Sequence, residues 1–178
     1  METCTSLVAH PGRAALRAPA PPCSALALDV GRKRIGLAGC DPLGLTVTPL
    51  PALLRRSPQE DSRSVSALAL HRQAKLLVVG LPLDASQHLT AQARHSLRYG
   101  RLLVRQMAAG GLALPLVWVN EFATSWAAAE QFGLRGDRSG KLDSAAAALL
   151  LEQWLREGSV VEPEPLLSFP LSRRTNDP

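Results

Sequence analysis

Asp29, Glu121 and Asp143 are the residues of this chain whose types and positions could do chemistry. Asp29 ends the apolar run Leu26-Ala27-Leu28 and is followed by Val30-Gly31-Arg32-Lys33-Arg34. A buried carboxylate without a partner costs several kcal/mol, so an acid that closes a buried strand has one. The partners to test are metal ions and phosphate oxygens. Glu121 stands just past a second apolar run, and Asp143 falls in the first turn or so of the last helix, where the helix dipole favours an ionised carboxylate. Hard oxygen ligands without Cys or His suit Mg²⁺ or Mn²⁺. Two such ions ~4 Å apart activate a water and stabilise the leaving oxygen in phosphodiester cleavage. Taken singly, Glu121 and Asp143 read equally well as capping acids; the weight comes from all three falling at strand or helix ends.

Cations surround the same segments. Arg32, Lys33 and Arg34 stand close after Asp29 and read as phosphate contacts. Arg135 and Arg138 lie on a basic loop over residues 133–140, and Lys141 heads the last helix. These too read as nucleic-acid contacts, although an ordinary mobile loop explains the first two as well. Gly31 and the loop Gly80-Leu81-Pro82 would let backbone approach a substrate closely. Arg94, Arg98, Arg101 and Arg105 share one helix face, with Ala93, Leu97, Val104 and Met107 as the apolar stripe. A solvated basic face is the simpler reading of that pattern, and a phosphate-tracking ridge is the alternative. His88 and His95 are too far apart to chelate together, and Trp118, Trp126 and Trp154 read as core.

The elements that must position these residues follow from the pattern. Residues 25–30 and 34–40 read as strands joined at Gly31, and residues 44–50 as a third. Asp41-Pro42-Leu43-Gly44 is a turn signal. Ser57-Pro58-Gln59-Glu60 opens a helix to about Arg72, with Ser57 as N-cap, Pro58 at the first helical position and Glu60 completing a capping box. Residues 75–80 are a continuously apolar strand of the kind buried on both faces. A long helix follows over residues 89–109, then a fifth strand over 114–120. Thr124 caps a short helix that Gly133 stops, and the last helix covers 141–157. Three meandering strands followed by helix–strand crossovers specify one mixed α/β sheet with helices on both faces. Ligands of such sheets gather at the carboxyl ends of the parallel strands, where the three acids, from separate segments, could converge.

The chain's 178 residues fit one domain, expected over residues 25–158, with sequence to spare only for tails. A hydrophobic share of 46% beside 20% charged residues fits a soluble globular protein, and no run reaches the length of a membrane-spanning helix. A net charge of +5, carried mostly by Arg, suits a polyanionic partner, although base composition favouring Arg explains it equally. Cys4, Cys23 and Cys40 form no metal-binding or disulfide pattern and point to a reducing compartment, the cytoplasm. Residues 1–24 are Ala- and Pro-rich; a disordered tail or an overextended start fits them better than a transit peptide, because they lack an apolar–basic helical period. Residues 159–178 read as a Pro- and Glu-containing tail.

The motifs carry a family resemblance. Asp29-Val30-Gly31-Arg32-Lys33-Arg34-Ile35-Gly36 resembles the opening motif of the YqgF family, Val78-Val79-Gly80-Leu81-Pro82-Leu83 its strand-plus-loop motif, and Gly140-Lys141-Leu142-Asp143-Ser144-Ala145-Ala146 its final motif. Order and spacing agree over about residues 25–158. The resemblance implies an RNase H-like fold, a five-stranded sheet of three antiparallel strands followed by two parallel ones. It also implies a nuclease described as acting on precursor 16S rRNA and, earlier, as a Holliday junction resolvase. One block departs from the pattern: where the family has Asp-Glu-Arg-Leu-Thr-Thr, this chain has Asn120-Glu121-Phe122-Ala123-Thr124-Ser125. The Glu is kept; the carboxylate before it and the Arg after it are not.

A Mg²⁺- or Mn²⁺-dependent endonuclease acting in 5′-end maturation of precursor 16S rRNA is therefore the leading expectation, with Asp29, Glu121 and Asp143 as catalytic and metal-holding residues. Its partners would be precursor rRNA or ribosomal particles. The alternatives are a resolvase of branched DNA, a non-catalytic RNA- or ribosome-binding module of the same fold, and a nucleotide phosphotransferase, whose two RNase H-like halves this chain is too short to contain.

Overall fold

The structure is a computed structural model that describes residues 23–84, 86, 88–120 and 139–158. Its five strands are β1 (Ala25–Val30), β2 (Arg34–Cys40), β3 (Val47–Leu54), β4 (Leu76–Leu81) and β5 (Leu116–Asn120). They form one sheet in the order β3-β2-β1-β4-β5. β1, β2 and β3 pair antiparallel, whereas β4 pairs parallel with both β1 and β5. This is the RNase H-like arrangement of three antiparallel and two parallel strands expected from the sequence.

The described helices are α1 (Pro58–His71), α2 (Ala91–Ala109) and α3 (Lys141–Glu157). Residue alternation assigns each sheet face to its cover. Leu26, Leu28, Val30, Leu77, Val79 and Trp118 join side chains of α1 and α2 in one core. Ala25, Ala27, Ala38, Val78 and Val119 join Ala147, Leu150, Leu151 and Trp154 of α3 in the other. β1 and β4 are buried along nearly their whole length, as strands covered on both faces must be. The run Ala145–Ala148 keeps α3 thin, so its axis lies close over β2.

Local chemistry sets the boundaries. The hydroxyl of Ser57 accepts from the Glu60 N–H at 3.2 Å, the expected N-cap, and donates to the Glu60 carboxylate at 2.8 Å, so Glu60 bonds the Ser57 side chain where a full capping box has it bond the Ser57 N–H. The third strand spans 47–54 rather than 44–50. Asp41 explains the shift: its carboxylate accepts from the backbone N–H groups of Leu43, Leu45 and Thr46, which holds that segment in a turn. β3 then runs on through Pro49 and Pro51, which an edge strand tolerates. β4 includes Gly80, as the strand expected over 75–80 does, and extends to Leu81, expected in the loop. α2 starts at Ala91, because Thr90 is its cap: its hydroxyl accepts from the Ala93 N–H at 3.0 Å and donates to the Pro82 carbonyl at 2.6 Å. Trp118 and Trp154 are buried in the core as expected. The helix expected from Thr124 to Gly133, Trp126 and both tails lie outside the described residues.

Candidate active site

Asp29 sits near the carboxyl end of β1, directly opposite Gly36 of β2. Its side chain shares the α3 face with Ala25 and Ala27, two and four residues earlier. Gly36 marks the closest approach of α3 to the sheet. A Cβ built on it would overlap the carbonyl oxygen and carbon of Asp143 and stand 3.1 Å from its Cα. The bare glycine lets the first turn of α3 rest on the strand partner of Asp29, and so brings Asp29 and Asp143 to the same spot on the sheet.

The pairing of β2 with β3 shifts at this point, with Ile35 opposite Leu53 but Leu37 opposite Leu50. β3 thus offers Pro51 and Ala52 where β2 offers only Gly36, a bulge of the kind that re-aims backbone beside functional sites. Ala52 supports the start of α3: a Cβ on Gly140 would lie 2.8 Å from its Cβ and 3.3 Å from Cδ of Arg34. Gly140 takes φ 93°, a left-handed conformation that favours glycine, and caps α3 with no side-chain bond. Asp143 is the acid of the first turn, near the positive end of the helix dipole.

Both residues are half-buried, and carboxylate oxygens are the hard donors that a divalent cation takes. Among the described residues no three His, Cys, Asp or Glu side chains gather to hold a metal. Glu121, the third expected ligand, lies outside the described residues, as do Arg135 and Arg138. Asn120 is 9% exposed, and alternation along β5 puts it on the Trp118 side, away from Asp29. The exchange of a carboxylate for an amide there therefore acts on the opposite face from the acids.

Arg32 and Lys33 project from the β1–β2 turn and are exposed; Lys141 is exposed at the head of α3; Arg34 is half-buried and passes beside Gly140. Four cations thus border the two acids.

A group missed by sequence reading supports the turn from below. Arg55 donates from Nη1 to the Gly31 carbonyl at 2.7 Å and to Nε2 of His95 at 2.9 Å. Its guanidinium stacks 3.9 Å from the centroid of the Tyr99 ring, and its Nε lies 4.0 Å from Asp61 Oδ2. Asp61, 2% exposed, also accepts from the Tyr99 hydroxyl and from the Arg56 N–H. Gln92 donates to the Val30 carbonyl at 2.9 Å. Because a guanidinium only donates, His95 Nε2 must be unprotonated. Burial, then the charges of Arg55, Arg98 and Arg32, hold the His95 pKa below its ordinary value. Burial and the bond to Asp61 push the Tyr99 phenol upward. In the sequence, Asp61 looks like one more acid in a helix's first turn, and the chain's single Tyr is a signal too slight to link it with Arg55.

Residues 23–157 match the model of the family RuvX, described as Holliday junction resolvase. A protein of Parasynechococcus marenigrum (strain WH8102) named "Putative pre-16S rRNA nuclease" is 62% identical over 142 residues, which is 80% of this chain and 87% of that one. One of the same name from Prochlorococcus marinus (strain MIT 9313) is 55% identical over 156 residues, or 88% of this chain and 94% of its own. Among solved structures, T. thermophilus RuvC in complex with Holliday junction substrate aligns with 76% of this chain and 98% of its own at TM-score 0.45 and 12% identity.

Proposed function

The chain belongs to the RuvX family, and from that membership we propose that it is a metal-dependent endonuclease that cleaves phosphodiester bonds in precursor 16S rRNA near its 5′ end. The observation that carries the reading is the contact at Gly36, which sets Asp143 over the strand partner of Asp29 beside a tripled run of cations. The names of the relatives supply the substrate.

Asp29, Asp143 and Glu121 are the catalytic residues of this reading and would hold Mg²⁺ or Mn²⁺. Bound there, the cation supplies activation of the attacking water and neutralisation of the leaving oxygen. The chain's own part is orientation. Arg32 and Lys33 clamp phosphates next to the scissile one, and Arg34 and Lys141 hold the backbone where it crosses the head of α3. Arg135 and Arg138, which precede α3 in sequence, would add contacts. Among the described residues no helix is long and apolar enough to cross a membrane, and we place the protein in the cytoplasm with precursor rRNA or ribosomal particles as its partners.

The test is cleavage of an end-labelled precursor 16S rRNA leader with and without Mg²⁺, wild type beside Asp29→Asn, with a four-way DNA junction as competitor. Metal-dependent RNA cleavage that the substitution abolishes is the expected result. Undiminished cleavage by Asp29→Asn would sink the assignment. Preference for the junction would establish the second reading, which the family description favours, and binding without any cleavage would leave a non-catalytic module.

A further inference from the structure

Helix α2 carries Arg94, Arg98, Arg101 and Arg105 and not one Asp or Glu in its 19 residues. Arg94, Arg98 and Arg105 are exposed, whereas Arg101 is half-buried. Among the described residues none of the three exposed guanidinium groups has a carboxylate within ion-pairing distance. A face evolved only for solubility mixes signs, with acids four residues from bases. This one does the reverse: Arg94 with Arg98, and Arg101 with Arg105, are like-charge neighbours one turn apart, an arrangement that works against the helix.

The face is also joined to the candidate active site. Gln92 and His95, in the first turns of α2, meet the β1–β2 turn through the Val30 carbonyl and through Arg55. Arg98 of α2 and Arg32 of the turn both help to lower the His95 pKa, so the two groups of cations share His95 as a neighbour. From Arg94 to Arg105 the helix extends about 16 Å, several phosphate steps of a nucleic-acid backbone. Single strands are held on exposed aromatic platforms; among the described residues Tyr99, Trp118 and Trp154 are all buried.

We propose that Arg94, Arg98 and Arg105 of α2 are a second contact surface that follows the phosphate backbone of a double-stranded RNA arm flanking the cleavage point. The assignment rests on the nuclease reading for its substrate, and on the geometry and charge of α2 for its position. Recognition is by charge and shape, without base readout, as an A-form helix with a narrow major groove requires.

The test is binding of the full chain to a labelled RNA duplex in chelator, read by fluorescence anisotropy across a salt series. The triple variant Arg94→Gln, Arg98→Gln, Arg105→Gln should lower the slope of log affinity against log salt by about 2–3, near one unit for each Arg, and weaken binding about 10–100-fold at moderate salt. The corresponding triple Lys variant should keep the slope, since phosphate tracking needs the charge. Single Arg94→Gln and Arg105→Gln variants, each on an exposed position, should each remove about one unit and serve if the triple fails to fold. An unchanged slope in the Gln variants overturns the proposal, as does failure of the Lys variant to retain it. A larger loss on a DNA duplex of equal length overturns the choice of RNA. Because binding is read without metal, failure of the wild type to cleave in the separate Mg²⁺ assay would count against the nuclease reading and leave this result intact.

Discussion

Gly36→Ala tests how the two acids are brought together. The added methyl would overlap the Asp143 carbonyl, a backbone group that cannot rotate away. Restoring normal contact requires the first turn of α3 to retreat by about 1.5 Å, because packed interiors hold no slack of that size. Overpacking of this kind costs about 1–3 kcal/mol. For a domain of this length that lowers Tm by about 3–10 °C. Activity should fall further than stability, since a displacement of about 1 Å between positioned groups costs about 100-fold in rate. Most of the loss should appear in kcat, because the exposed Arg32 and Lys33 stay in place. Gly39→Ala, three residues along the same strand, is the control. There the new Cβ would overlap Nε of Arg72 and stand 3.1 Å from its Cζ, and a side chain, unlike backbone, can swing aside. Chemical denaturation and metal-dependent cleavage of both variants decide the matter. A Gly36→Ala protein with wild-type stability and wild-type kcat would refute the reasoning.

Asp29→Asn should cancel the rise in Tm that Mg²⁺ gives the wild type, a gain of about 1.4 kcal/mol at tenfold over Kd; thermal unfolding with and without the ion checks this separately from activity. Arg55→Gln removes the charged donor to the Gly31 carbonyl and the countercharge of buried Asp61, and should cost about 2–4 kcal/mol in urea unfolding. Its RNA affinity should fall as well, because the turn bearing Arg32 and Lys33 loses its support. The pH dependence has a defined sign. His95 has a folded pKa below its ordinary 6.5, so the unfolded chain binds the proton first as pH falls. Its contribution to stability is full above that ordinary value and is lost as pH falls through the folded one. The groups facing it are Arg55, Arg98, Arg32 and Tyr99, with Asp61 behind. Unfolding from pH 8 to pH 5 should therefore show a shallower decline for His95→Gln than for wild type, and equal slopes would remove His95 from the network.

The sheet was legible because its signals are local: apolar runs closed by Gly turns, and an N-cap at Ser57 that the structure reproduces. The last helix has the bounds read from sequence, since Gly140 and Gly158 punctuate it at both ends. β3 was displaced because the Asp41 carboxylate organises a longer turn than its dipeptide signals reveal, and because prolines at an edge do not end a strand. Asp29 could be singled out as an acid on a buried strand, and Asp143 as an acid in a first helical turn. That Gly36 would be their meeting point could not be read, because it depends on how closely α3 settles on β2. The Arg55 cluster was invisible for the same reason. Its members come from the end of β3, from α1 and from α2, and nothing in their spacing marks them as neighbours.

The support beneath the β1–β2 turn grips only main-chain atoms: Arg55 holds the Gly31 carbonyl and Gln92 the Val30 carbonyl. The shape of the turn is thereby independent of the side chains it displays at Arg32 and Lys33. Those two positions can be exchanged for other residues while the platform under them stays fixed, so on the nuclease reading proposed above substrate preference can drift, or be rewritten by design, without reopening the folding problem.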